Sequence, residues 1–433
     1  MKRRLWVGSA GASALLAAYG SMGLLSGCAS TGQAASANKA RVVVVGGGFG
    51  GATAAKYVRM WSHYGMSVTL IEPHASFVSC PISNLVLSGV KTMADITLPY
   101  DTLVKQHGVQ LVRDSVVRID ANQRLVFLAG GGQVPYDRLI VSPGVELMWD
   151  TLPGMARPGA QDKVLHAWKA GPQTVALRHQ LTTLPNGGVV ALTVPLAPFR
   201  CHPGPYERAT QIASYFSRFK PRSKVLLLDA NDDVLSEGAQ FKRVWASRYP
   251  DQLEYRPKQR LADVDAATGT LQFESGADVR AKVLNVIPPM RAGQIAIRSG
   301  LAGADQRWCE VDFLTFESRV AKNIHVIGDA VQNAKGMAKS GHMANQHGKT
   351  CAAAVVALLS GKSPNDDPIY NNVCYSFVSA EEAMHVVSVH AYDAQQQTMV
   401  TLPHAGGASK VPDELEGRAA WVWAQGIWDD TLT

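Results

Sequence analysis

No CxxC or CxxCH occurs in this 433-residue sequence, which removes thioredoxin-type redox chemistry, a zinc ribbon and haem attachment within this chain. No other metal-ligand spacing stands in their place, so no metal site is expected. Charge is sparse, with Asp, Glu, Lys and Arg making up 18% of residues and no dense basic run among them. Nucleic-acid binding therefore has no footing. The tail Val411 to Thr433 lacks a basic amphipathic helix and carries Asp413, Glu414, Glu416, Asp429 and Asp430, which disfavours membrane embedding. Trp421, Trp423 and Trp428 temper that reading. Glycines are missing where a second nucleotide site would need them. The apolar strand expected over 188–194 is followed by Pro195, Pro198, Arg200, Cys201, His202, Pro203 and Pro205. Rigid rings and bulky side chains there block close approach of a pyrophosphate, so NAD(P)H is not expected to bind.

What is present is a chain with 46% apolar residues, enough for two to three domains with their own cores. Lys2, Arg3 and Arg4 precede an Ala/Gly/Leu-rich stretch and then small residues, the order of an export signal over 1–28. Losing those three cations with the leader takes the formal charge from +7 to +4. Leu25-Ser26-Gly27-Cys28 resembles a bacterial lipoprotein cleavage box, making Cys28 the candidate lipid anchor, and Arg3-Arg4 resembles a twin-arginine signal. A plain secretory signal and unrelated arginines are the alternatives. Either way the expected location is periplasmic, with 29–40 as a flexible linker.

The first folded segment is the most informative. A β-branched run at 41–45 fits a buried parallel strand, and Gly46, Gly48 and Gly51 follow it with GxGxxG spacing. That spacing allows a tight turn, backbone approach to a pyrophosphate and close packing of a helix over 52–60. The helix amides would then face the phosphates. A second strand at 67–71 ends at Glu72, where a carboxylate can accept from a ribose hydroxyl. A glycine-rich turn without ligand is the plainer alternative, and strand, glycines, helix, strand and acid together weigh against it.

Further along, Asn323 to Ala330 is a short apolar strand ending in Gly-Asp, which resembles the late motif of FAD-dependent disulfide-reductase-like enzymes. The resemblance makes Asp329 a ligand of the ribityl and pyrophosphate region. Tyr136 to Gly144 similarly resembles that family's crossover strand.

Five cysteines remain beyond the leader: Cys80, Cys201, Cys309, Cys351 and Cys374. Val78-Ser79-Cys80-Pro81-Ile82-Ser83-Asn84, the segment from Pro198 to Ala209 and the segment from His347 to Ala354 add to the motifs above. Over essentially all of 41–433 the chain resembles the flavoprotein subunit of flavocytochrome c sulfide dehydrogenase. The resemblance implies FAD bound covalently through Cys80, sulfide as substrate and a separate cytochrome c subunit as electron acceptor. It also implies a redox disulfide between Cys201 and Cys351, with Glu207 handling the substrate proton. Hydrosulfide can open such a disulfide. Cys351 is expected to open a helix over 351–359, whose positive end would favour a thiolate. A merely stabilising disulfide and a solvated Glu207 are the plain alternatives.

Cys374 lies in a segment, Asn371 to Ser376, that also matches the family but carries no assigned role; like Cys309 it reads as a buried thiol. Trp423 resembles a terminal-segment residue packed near the flavin, and His202 reads as solvated. The expected class is α/β, with two Rossmann-like domains of the glutathione-reductase type plus a C-terminal α+β interface domain. The FAD domain is placed at 41–155 and 285–362, a degenerate NAD-type domain at 156–284 and the interface domain at 363–433. Two other functions stand beside the sulfide dehydrogenase reading: a sulfide:quinone oxidoreductase, and a flavin-bound scaffold without catalysis of its own.

Overall fold

The structure, a computed structural model, describes residues 39–433; the export signal, Cys28 and most of the linker lie outside the described residues. In chain order the first unit supplies β1 (Arg41–Val45), α1 (Phe49–Trp61), β2 (Ser67–Ile71), β3 (Gln110–Val112) and β4 (Arg138–Val141). The middle unit supplies β5 (Val189–Val194), α2 (Gly204–Phe219), β6 (Lys224–Asp229), α3 (Gly238–Arg248), β7 (Leu253–Arg256) and β8 (Val283–Val286). The chain then returns through β9 (Ile324–Val326) and α4 (Gly341–Leu359). It finishes with β10 (Ile369–Phe377), β11 (Ala383–Asp393), β12 (Thr398–Thr401) and α5 (Glu414–Leu432).

Two parallel sheets form the core. The first has the order β9-β4-β1-β2-β3, with β1 in register against both β2 and β4. Val42 to Val45 are all buried, as a run of β-branched residues covered on both faces should be. Helices α1 and α4 close one face. Their contact is tight because Gly348 has no side chain: a Cβ there would sit 2.6 Å from the Gly50 carbonyl oxygen. The second sheet has the order β7-β6-β5-β8. β8 runs to Val286, so this sheet reaches past residue 284, the boundary expected from sequence. Asn285 locks that edge by donating to the Leu165 and His166 carbonyls at 2.6 and 2.9 Å.

The C-terminal strands β10, β11 and β12 form an antiparallel sheet joined by the short Gly407–Ala408 strand. β10 lies against α2 and α4. α5 ends on the first unit: Lys56 Nζ donates to the Asp429 and Asp430 carbonyls at 3.2 and 3.0 Å, and the Tyr57 hydroxyl to Asp430 at 2.6 Å. A lysine on the last carbonyls of a helix meets its negative end. Among the described residues no helix is long and apolar enough to cross a membrane.

Candidate active site

The turn between β1 and α1 is built for close backbone approach. Gly46 has φ +95°, and a Cβ there would lie 2.3 Å from the Ser142 carbonyl oxygen. At Gly51 a Cβ would lie 1.9 Å from the Gly46 carbonyl oxygen, so a side chain would force strand and helix apart. Gly48 has nothing within 4 Å of where its Cβ would be, which leaves an open cradle at the helix N-terminus. Glu72, at the end of β2, accepts from the Gly47 N–H at 2.7 Å and the His74 N–H at 2.8 Å, so its carboxylate braces the glycine turn. Asp329 stands in the tight turn after β9, and its Oδ1 is buried with no hydrogen-bond partner among the described residues. Burial raises that carboxyl, opposed by the charges of Arg200 and Lys339. An orphaned buried oxygen next to an open glycine cradle fits a ligand bearing a pyrophosphate and hydroxyls.

A cavity of about 760 Å³, counted to its mouth, joins the three units. Cys80, Cys201, Cys374, Glu207 and Trp423 all line it. Cys201 has a left-handed backbone with φ +60°, fixed by its N–H donating to the Lys339 carbonyl at 2.8 Å. Gly204, at the start of α2, makes room for it: a Cβ there would be 2.9 Å from the Cys201 sulfur. Burial pushes the Cys201 thiol well up, and the charges of Cys374 and Glu207 push the same way. Burial likewise raises the Cys374 thiol, to about 11, while Asn372 hydrogen-bonded to it at 3.5 Å works against the rise. The Arg200 guanidinium faces the Cys80 sulfur and donates to the Trp168 carbonyl.

Glu207, only 8% exposed, accepts from Asn84 Nδ2 at 2.6 Å and from the Phe377 N–H at 3.0 Å. Burial raises its carboxyl to about 7 against those two hydrogen bonds. It is therefore no solvated helix-start carboxylate but a buried acid poised near neutrality. Asn84 is itself aimed by Arg208, whose Nε donates to its Oδ1 at 3.0 Å. Trp423 lies with its ring centroid 5.7 Å from Tyr375 and 6.1 Å from His342, on the cavity wall.

Two expectations need correction. Cys351 does not open a helix: α4 begins at Gly341, so Cys351 sits in its interior, fully buried and away from the cavity lining. Its thiol is raised by burial, with Arg138 as its charged neighbour, and the structure does not bring it to Cys201. The thiol that does share the cavity with Cys201 is Cys374, on β10. The helix N-terminus is nonetheless at the site, through Ser340 and Gly341, with the Ser340 hydroxyl capping the Met343 N–H at 3.0 Å. His202 also departs from expectation. Its ring packs edge-on against Phe199 at 5.1 Å, and burial lowers its pKa.

In the middle unit the loop from β5 to α2 carries Cys201 where a phosphate loop would run. Glu207 occupies the first turn of α2, with its carboxyl turned to Asn84 and the Phe377 N–H. Asp229, at the end of β6, is engaged by the Tyr206 hydroxyl at 2.9 Å, the Tyr255 hydroxyl at 3.2 Å and Asn231 at 2.7 Å. No metal-ligand cluster of three or more side chains occurs among the described residues.

Comparison with known proteins matches the chain in three stretches. Residues 174–288 match the family described as sulfide dehydrogenase [flavocytochrome c] flavoprotein chain, central, and residues 366–432 match flavocytochrome c sulphide dehydrogenase, flavin-binding. Residues 40–193 match pyridine nucleotide-disulphide oxidoreductase. A sulfide dehydrogenase [flavocytochrome c] flavoprotein chain from Chlorobaculum thiosulfatiphilum is 63% identical over 46 residues, 11% of this chain and 94% of that sequence. The mitochondrial sulfide:quinone oxidoreductase of Dictyostelium discoideum is 24% identical over 306 residues, 67% of this chain. The chain spans 65% of the length of that relative and 66% of the mouse one. Among solved structures, the sulfide:quinone oxidoreductase of Aquifex aeolicus superposes with a TM-score of 0.74 at 17% identity, over 90% of this chain and 91% of that one. That likeness speaks for the fold.

Proposed function

Because this chain belongs to the family of flavocytochrome c sulfide dehydrogenase flavoprotein chains, we propose that it oxidises sulfide through a Cys201–Cys374 pair and FAD. The carrying observation is the cavity that holds Cys201, Cys374 and Glu207 beside Cys80. Cys374 takes the place that the sequence reading gave to Cys351.

FAD would be held by the Gly46–Gly51 turn, Glu72 and the orphaned Asp329 carboxylate, with Cys80 as the point of covalent attachment. Bound there, FAD supplies a two-electron acceptor that can discharge one electron at a time to a cytochrome c chain. The chain's own groups account for the rest. Glu207, deprotonated above about pH 7, takes the proton of hydrogen sulfide entering the cavity. Cys201 and Cys374 are free thiols in the structure; in the oxidised form, where they would be joined as a disulfide, the resulting hydrosulfide would break the bond between the cysteine sulfurs, form a new sulfur–sulfur bond on one cysteine and release the other as a thiolate. Arg208 and Asn84 keep Glu207 in place during this step.

A cytochrome acceptor is favoured over a quinone by the match of 366–432 to a flavocytochrome flavin-binding domain. A periplasmic location and a Cys28 anchor rest on residues outside the structure and on the export signal alone. The test is anaerobic addition of sodium sulfide to the purified flavoprotein while following flavin absorbance. Bleaching in the wild type and in Cys351→Ser, lost in Cys201→Ser and Cys374→Ser, is the expected result. No bleaching of the wild type sinks the proposal and favours the scaffold reading.

A further inference from the structure

The two cysteines that line the cavity differ in what reaches their sulfurs. Asn372 and Cys374 are two residues apart on β10, so their side chains leave the same face of the strand. Asn372 Nδ2 donates to Cys374 Sγ at 3.5 Å, and the amide oxygen stands farther off at 3.8 Å. The amide is held one way round. Ser340, the cap of α4, accepts from the Met343 N–H at 3.0 Å and donates its own hydroxyl hydrogen to Asn372 Oδ1 at 2.6 Å. That separation belongs to an O–H···O bond and is shorter than an amide N–H makes. With Oδ1 held by Ser340, Nδ2 is the end left for the sulfur. Asn372 is buried, where a donor without a partner is costly. Cys201 has no counterpart to this arrangement: among the described residues no side chain hydrogen-bonds its sulfur, and its N–H is taken by the Lys339 carbonyl. The base lies on its side instead. Gly204 packs under the Cys201 sulfur, and Glu207 follows one helical turn later on that side of α2.

We propose that Asn372, aimed by Ser340, is the hydrogen-bond donor that makes Cys374 the leaving sulfur, so that hydrosulfide attacks Cys201 and the persulfide is carried there. The assignment rests on the Cys201–Cys374 pairing of the sulfide reading. In the oxidised protein the bond between Cys201 Sγ and Cys374 Sγ breaks, and a bond forms between the substrate sulfur and Cys201 Sγ. The electron pair of the broken bond stays on Cys374 Sγ as the thiolate. Two electrons thus pass from the substrate sulfur to the cysteine pair, and the proton of hydrogen sulfide has already gone to Glu207. A thiolate leaves faster the better its charge is stabilised, and an N–H held at the sulfur does this without having to reorient. The titratable groups facing Cys374 are Cys201 across the cavity, Glu207 from α2, Glu237 ahead of α3, and His342 from α4, which accepts from the neighbouring Val373 N–H at 3.0 Å. The two carboxylates oppose a thiolate at Cys374, and the Asn372 and Ser340 side chains favour it.

The experiment uses the flavin-loaded full chain and its Asn372→Leu variant, which keeps the shape of the side chain and removes the N–H. A peptide map of the oxidised proteins, made without reductant, first reads the Cys201–Cys374 cross-link. One equivalent of sodium sulfide is then added anaerobically, the reaction is stopped with excess iodoacetamide, and mass spectrometry locates the added sulfur atom. It is expected on Cys201. In the reduced proteins, site-resolved iodoacetamide alkylation is followed against pH with no sulfide present. Loss of the donor moves the Cys374 profile to higher pH by about one unit and leaves the Cys201 profile in place. Flavin bleaching by sulfide is several-fold slower in the variant.

The added sulfur on Cys374, or a Cys374 profile that Asn372→Leu does not move, overturns the proposal while the cross-link stands. A wild type without that cross-link, or one whose cross-link sulfide leaves intact, fails the sulfide reading itself and takes the leaving-group assignment with it. Should Asn372→Leu not fold, Ser340→Ala, which frees the amide to turn over, is read by the same measurements and moves the Cys374 profile in the same direction.

Discussion

The Phe377 N–H donates to Glu207 Oε1 at 3.0 Å, so the strand that carries Cys374 also clamps the acid on the first turn of α2. One hydrogen bond thereby ties the C-terminal sheet to the loop bearing Cys201. The acid is held between that backbone amide and the Asn84 side chain, in the cavity that the two cysteines line.

Removing the other partner of Glu207 should move its titration. The Asn84 hydrogen bond lowers a carboxyl that burial has raised to about 7. In Asn84→Ala the carboxyl rises further, and because the deprotonated form is the base, the rising limb of sulfide-driven flavin reduction shifts to higher pH by about one unit. A stopped-flow pH profile reads this directly, and at pH 7 the rate falls several-fold.

The same acid leaves a mark on stability. Its folded pKa of about 7 lies above the ordinary 4.5, so the unfolded chain releases the proton first as pH rises. Its favourable contribution is complete below about pH 4.5 and is lost as pH climbs through about 7, at up to about 1.4 kcal/mol per pH unit. Glu207→Gln removes that slope. Urea unfolding of wild type and variant at several pH values from about 5 to about 8 should show the flatter line in the variant.

Cys351 and Cys374 should separate cleanly. In Cys351→Ser a hydroxyl replaces a thiol inside a fully buried helix interior, costing about 1–3 kcal/mol of stability by denaturant unfolding. The sulfide response of the folded protein is retained. Cys374→Ser is expected to lose the response, and in the oxidised protein its unfolding midpoint falls with the lost cross-link to Cys201.

Gly204→Ala tests the packing beneath Cys201. The added methyl falls 2.7 Å from the Trp168 ring and 2.9 Å from the Cys201 sulfur, so the thiol must move. A displacement of about 1 Å at a reacting atom costs on the order of a hundred-fold in rate. Flavin content, set on the far side by the Gly46–Gly51 turn, should stay at the wild-type ratio.

Much of this was legible in the residues. β1, β2 and the glycine turn lie where a β-branched run followed by GxGxxG places them, because a buried parallel strand and a phosphate-binding turn each demand a local residue pattern. The proline-rich loop after β5 spoke against a second pyrophosphate site for the same local reason. Glu207 was readable as a candidate base from the family match, but its burial and its two donors come from Asn84 and Phe377, distant in sequence.

Cys351 and Cys374 mark where sequence reading stops. The Ala-rich run after Cys351 looks like a helix beginning, yet the helix starts ten residues earlier at Gly341, because Ser340 caps it and no breaker intervenes. Nothing local distinguishes a cysteine buried in a helix from one facing a cavity. That Cys374 and not Cys351 lines the cavity with Cys201 was decided by how β10 packs on α2 and α4, a long-range contact that carries no periodic signature. Sequence determined the nucleotide-binding unit, the missing second phosphate loop and the presence of thiols; tertiary packing decided which thiols line one cavity, and that Glu207 lines it with them.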